Sequence, residues 1–113
     1  MHAEAASPRD PKAADTAAQT AQGRDAEFQA RFENGAAHLL AGDYRTAAHI
    51  FADLYQETRS DRVKLEWARA LYLAGDYETA AARFREVLAD DPPLPVQSRI
   101  HSFLDDIALR TAK

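Results

Sequence analysis

"AGDYRTAA" (residues 41–48) and "AGDYETAA" (residues 74–81) spell one octapeptide twice, 33 residues apart, with a single difference. Glycine accepts a left-handed backbone at little cost, so it ends a helix readily. An aspartate directly after it suits the cap of a following helix. Tyrosine and paired alanines then resume an apolar pattern. Each copy therefore reads as the hinge of a helix–turn–helix hairpin, with Asp43 and Asp76 as caps, and the chain carries two such hairpins in tandem.

Working outward, Phe28, Phe32, Ala36 and Leu39/Leu40 recur at steps of three to four and share one helix face. Beyond the first hinge, Tyr44, Ala47, Ala48, Phe51, Leu54 and Tyr55 form an apolar stripe that runs to about Glu57. "TRSD" (58–61) is a polar break. The pattern restarts with Val63, Trp67, Ala70/Leu71 and Leu73/Ala74, crosses the second hinge, and continues through Tyr77, Ala80, Ala81, Phe84, Val87 and Leu88. "DDPPLP" (90–95) stops it, because prolines cannot continue a helix interior. A last helix begins near Pro95, and Val96, Ile100, Phe103/Leu104 and Ile107 line its apolar side. The expected fold is all-α. Two hairpins (28–59 and 61–92) and a capping helix (95–110) make a domain over 25–110. A flexible leader over 1–24 precedes it, because that alanine-rich stretch lacks the large apolar side chains that offset chain entropy.

The period resembles the roughly 34 residues of tetratricopeptide repeats. In the second hairpin Ala68, Gly75, Tyr77, Ala80, Phe84 and Pro92 fall where that motif has small, turn-forming, aromatic, small, aromatic and proline residues, and Trp67 takes a position that is usually large and apolar. In the first, Gly35, Gly42, Tyr44, Ala47 and Phe51 match, whereas Arg59 replaces the proline, and Asn34 and His38 replace large apolar residues. Ala47 and Ala80 allow close helix approach. Phe51 and Phe84 each bury an area worth about 2 kcal/mol. A hairpin alone leaves one face bare, so hairpins stack. Two repeats fall below the usual minimum of about three; the last helix is expected to cover one end by packing on the fourth, held near the stack by the short "PPLP" link, the alternative being a helix that lifts away to bind a partner. The other end has no such cap, which leaves exposure, self-association or cover by the leader.

Composition narrows the function. Net charge is −4, with Lys and Arg unclustered, which argues against nucleic-acid binding. There is no cysteine, hence no thiol chemistry. No apolar run approaches the roughly 20 residues of a membrane span, so no membrane insertion by this chain is expected. His2, His38, His49 and His101 lack zinc-site spacing, and His38 and His49 read as margins of the helix packing. No glycine-rich phosphate loop occurs. Asp90-Asp91 and Asp105-Asp106 are sequence neighbours that point to different sides of a helix, poor partners for acid–base work. No enzyme activity, metal or cofactor is expected.

Binding fits better. In stacked hairpins the first helix of each pair lines a groove. The positions expected to face it are Gln29, Phe32, Ala36 and Leu39, then Arg62, Leu65, Arg69, Tyr72 and Leu73. Arg62 and Arg69 lie seven apart, on one face, beside Tyr72. Guanidinium groups next to an aromatic suit a carboxylate or an extended peptide. The competing reading makes both arginines ordinary surface charges paired with Glu66. Trp67 is expected in the core.

"RVKLEWARALYLAGDYETAAARFREVLADDPPLPVQSRIHSFLDDI" (62–107) resembles the periplasmic repeat domain of the surface lipoprotein assembly modifier family, outer-membrane proteins of Gram-negative bacteria in which a small tetratricopeptide domain precedes a β-barrel. The likeness rests on the "RVKLEWARALYLAGDYETA" helix pair, the "VLADDPPLPV" break and the "I..FL..I" helix that follows. It implies a periplasmic domain that helps deliver lipoproteins or related secreted proteins to the cell surface, with a client, a chaperone or the cognate outer-membrane β-barrel as partner. No barrel follows Lys113, so the likeness implies either an excised domain or a stand-alone relative. The rival expectation is a generic tetratricopeptide adaptor in another complex, cytosolic if the chain is complete as it stands.

Overall fold

Helices are the elements these residues dictate, and the computed structural model has five: α1 (Pro11–Leu40), α2 (Tyr44–Thr58), α3 (Asp61–Leu73), α4 (Tyr77–Ala89) and α5 (Leu94–Thr111). The structure describes residues 11–112, with side chains from 22 onward. Among these residues there is no strand. The chain divides into two units, Met1–Ala30 and Arg31–Lys113. Of the leader expected over 1–24, residues 1–10 lie outside the described residues. From Pro11 the backbone is helical, so α1 begins well before Phe28. Alanine, lysine and glutamine are strong intrinsic helix formers, and that propensity needs no apolar stripe.

The twin octapeptides are twin hinges at the level of individual hydrogen bonds. Gly42 and Gly75 have φ of 83° and 87°. In the first hinge Gly42 N–H donates to Leu39 O (3.1 Å) and Asp43 N–H to His38 O (2.8 Å); in the second Gly75 donates to Tyr72 (3.0 Å) and Asp76 to Leu71 (2.9 Å). Both are Schellman closures, which satisfy the last carbonyls of α1 and α3. The expected caps differ. Asp43 and Asp76 occupy the N-cap positions, but neither side chain makes a capping bond. The Asp43 carboxylate is turned to His38 Nδ1 at 3.1 Å instead. Leu71 stands where the repeat would place a second histidine. The side chain that does cap is Ser60, whose Oγ accepts from Val63 N–H at 3.4 Å.

Where the first repeat lacks its proline, Arg59 itself takes the left-handed conformation, φ 53°, and closes α2 onto Tyr55 O. A non-glycine residue can supply that single turn at modest cost. After α4, Asp91 does the same (φ 54°) ahead of Pro92 and Pro93.

The hairpins share a seam. Ala47, Ala68 and Ala80 are completely buried, and so are Phe51 and Phe84 beside them. α3 packs against both α2 and α4, and α4 against α5. Ile100 and Ile107 of α5 enter the core that also holds Leu65, Ala68, Phe84 and Val87. Phe103 stacks on Phe84 at 4.8 Å between ring centroids. The fifth helix is therefore a cap, as its apolar stripe requires. In the first repeat, Phe51 meets Phe32 edge-on at 5.3 Å. Its ring tip rests over Gly35, where an added Cβ would lie 2.7 Å from Phe51 Cζ.

Candidate binding groove

The Schellman hinges reverse the chain after α1 and again after α3, and the last turns of both helices reach one cavity. Between them lies a cavity of about 420 Å³, lined by Ala36, Leu39, Leu40 and Tyr44 from the first repeat and by Glu66, Arg69 and Leu73 from the second. Four residues expected from register, Ala36, Leu39, Arg69 and Leu73, meet in it. Leu40 is 89% exposed. A large apolar side chain open to water beside a lined cavity marks a binding surface better than scattered single leucines do.

The two arginines diverge. Arg69 Nη1 lies 3.4 Å from Glu66 Oε1, a weak pair one helical turn apart, so its guanidinium keeps most of its donors for a ligand. Arg62 does not pair with Glu66; its guanidinium sits over the Phe32 ring, 4.3 Å from the centroid. That cation–π contact joins α1 to α3 and leaves the charge exposed. Both are candidates for a carboxylate, with Arg62 held in place by an aromatic partner.

Tyr72 and Leu65 are more committed to structure. Leu65 is buried among α4 and α5 side chains. Tyr72 is half-buried, edge-on to Tyr77 at 5.8 Å and to Phe103 at 5.0 Å. Its hydroxyl donates to Asp106 Oδ2, which also accepts from Arg110 Nε at 2.6 Å. These two donors hold the Asp106 carboxyl below its usual value, while the same carboxylate pushes the Tyr72 hydroxyl up. Tyr72 still lines a pocket between α3 and α5 with Arg99, Ser102, Phe103 and Asp106. Gln29 is exposed on α1, in the first unit.

Register reasoning missed Leu40, Tyr44 and Glu66 on the groove wall, and Arg99 and Phe103 on α5. Leu40 was legible, since it stands 33 residues before Leu73, which was assigned to the groove. The α5 residues fall outside a groove assigned to the first helix of each hairpin, yet α5 supplies a wall of the Tyr72 pocket. Trp67, expected in the core, is half-buried, with Tyr55 at 5.8 Å and the Arg83 guanidinium at 5.1 Å.

No group of three or more histidine, cysteine or acidic side chains that could hold a metal occurs among the described residues. No helix among them is long and apolar enough to cross a membrane. A family model described as tetratricopeptide repeat matches residues 38–107. No curated protein and no solved structure matches the chain. With two hinges of one geometry, buried alanines and phenylalanines at matching places in both hairpins, and that match over most of its length, the chain belongs to the tetratricopeptide repeat family.

Proposed function

We propose that the domain holds an extended segment of a partner protein in the groove between α1 and α3. Tetratricopeptide repeats generally mediate protein–protein interaction and present such surfaces on successive helices. The observation that carries the reading is the cavity in which Leu40 and Leu73 stand exposed beside Arg69. An apolar side chain of the segment would enter between the leucines, and a carboxylate would meet Arg69 or Arg62. Calorimetric titration of Arg69→Ala, whose side chain pairs only weakly with Glu66, against a candidate client tests it. Weakened binding at unchanged melting temperature is expected; unchanged affinity refutes it.

The finer reading places this module in the periplasm, as the repeat domain of an outer-membrane protein that delivers lipoproteins or related secreted proteins to the cell surface. Its support is the likeness over 62–107 described above. The α5 cap that follows directly on the proline break suits it, since a single helix after the repeats is part of that resemblance. The rival is a tetratricopeptide adaptor of another complex. Cell fractionation with a pull-down from periplasmic extract separates them: co-purification of a lipoprotein or an outer-membrane barrel supports the first, and a cytosolic pool with neither supports the second.

A further inference from the structure

Away from that groove, α2, α3 and α4 surround a second cavity of about 270 Å³. Its apolar floor includes Ala48, which is buried, and Ala52, which is half-buried. Trp67 forms one wall, its ring held by the Tyr55 and Arg83 contacts described above. The rim carries charge of both signs, Arg45 from α2 and Asp76 from the start of α4, and His49 adds an imidazole, all three exposed. Neither Arg45 nor Asp76 forms an ion pair or side-chain hydrogen bond with another described residue. Alanines at 48 and 52 leave the space open, and nothing else in the fold uses it.

The volume lies just below the roughly 300–1,000 Å³ typical of sites for drug-sized ligands, so it suits one large side chain. A fixed tryptophan wall favours an aromatic one. The rim adds the charge requirement: a carboxylate on the Arg45 and His49 side, a cation on the Asp76 side. We propose that this pocket receives one aromatic side chain of a partner protein, flanked in that partner by an acidic residue that meets Arg45 and a basic residue that meets Asp76. It is a second docking point, separate from the α1/α3 groove and independent of it.

The chain has one tryptophan, so the pocket carries its own reporter. The test is titration of the full chain with the capped peptide acetyl-Gly-Asp-Phe-Lys-Gly-amide, read by Trp67 fluorescence. A saturable change is expected. Replacing the peptide's phenylalanine by alanine weakens binding about tenfold or more, the loss that follows from leaving an aromatic side chain out of an apolar site. Arg45→Ala weakens it about tenfold. Ala52→Leu fills the floor and abolishes the response, with helical circular dichroism unchanged, and Arg62→Ala with Arg69→Ala leaves the response intact. The proposal is overturned if Trp67 emission does not respond at millimolar peptide, or if folded Ala52→Leu responds as the parent does.

Discussion

Gly35→Ala sets two effects of known size against each other. Alanine is the better helix former, and in a helix interior the exchange contributes about 0.8–1 kcal/mol of stability. Against it stands contact: the new Cβ would lie 2.7 Å from Phe51 Cζ and 3.0 Å from both Cε atoms. Phe51 is fully buried and its ring is braced by Phe32, so it has little room to retreat. Overpacking of this kind costs about 1–3 kcal/mol. The clash wins, and the net expectation is a loss of about 1 kcal/mol, or a melting temperature about 4–8 °C lower. Gly23→Ala is the internal control, because a Cβ there meets nothing within 4 Å; it leaves the melting temperature unchanged or raises it. Thermal unfolding followed by circular dichroism reads both. A double-mutant cycle with Phe51→Leu, which shortens the ring tip, recovers at least about 0.5 kcal/mol of the loss. A rise in melting temperature for Gly35→Ala, equal to that of Gly23→Ala, refutes the close packing of α1 on Phe51.

Further expectations concern the hinges, the seam and the cap. Gly42→Ala and Gly75→Ala force a Cβ into left-handed backbone, and each lowers stability by about 1–2 kcal/mol in chemical denaturation; equal stability refutes the Schellman closure. Ala80→Leu overfills a completely buried contact at about 1–3 kcal/mol, and an unchanged melting temperature refutes the register. Asp106, held below its ordinary value of 3.8 by Tyr72 and Arg110, binds protons less readily folded than unfolded. Its contribution to stability is therefore full above the unfolded value and lost as pH falls through the folded one. The stability gap between the parent and Asp106→Asn should narrow as pH falls below about 4; a gap that does not narrow on acidification rules out the clasp.

Much of this architecture was legible because repeats write their geometry twice. The hinge octapeptide, the alanine seam and the paired phenylalanines each depend on neighbours a few residues away or one period away, and period shows in a sequence. What stayed hidden depends on side chains that choose partners across the fold. Asp43 looked like a cap, but His38 one turn back claims its carboxylate. Arg62 looked like a partner of Glu66, but α1 brings the Phe32 ring beneath it. Tyr72 looked like a groove residue alone, and Asp106, 34 residues on, ties it to α5. For the groove, register put four residues in the α1/α3 cavity, while the second pocket, built from absent side-chain volume at Ala48 and Ala52, had no positive mark to read.

The direct trial of the binding groove is site-specific photocrosslinking in the native cell. A photoreactive amino acid replaces Leu73, which lines the α1/α3 cavity, or Arg85, which is exposed on α4 and outside it. A discrete protein adduct from position 73, absent from position 85 and reduced by Arg69→Ala, is expected. No adduct at 73, or the same adduct from both positions, would mean that the groove is not where this domain meets its partner.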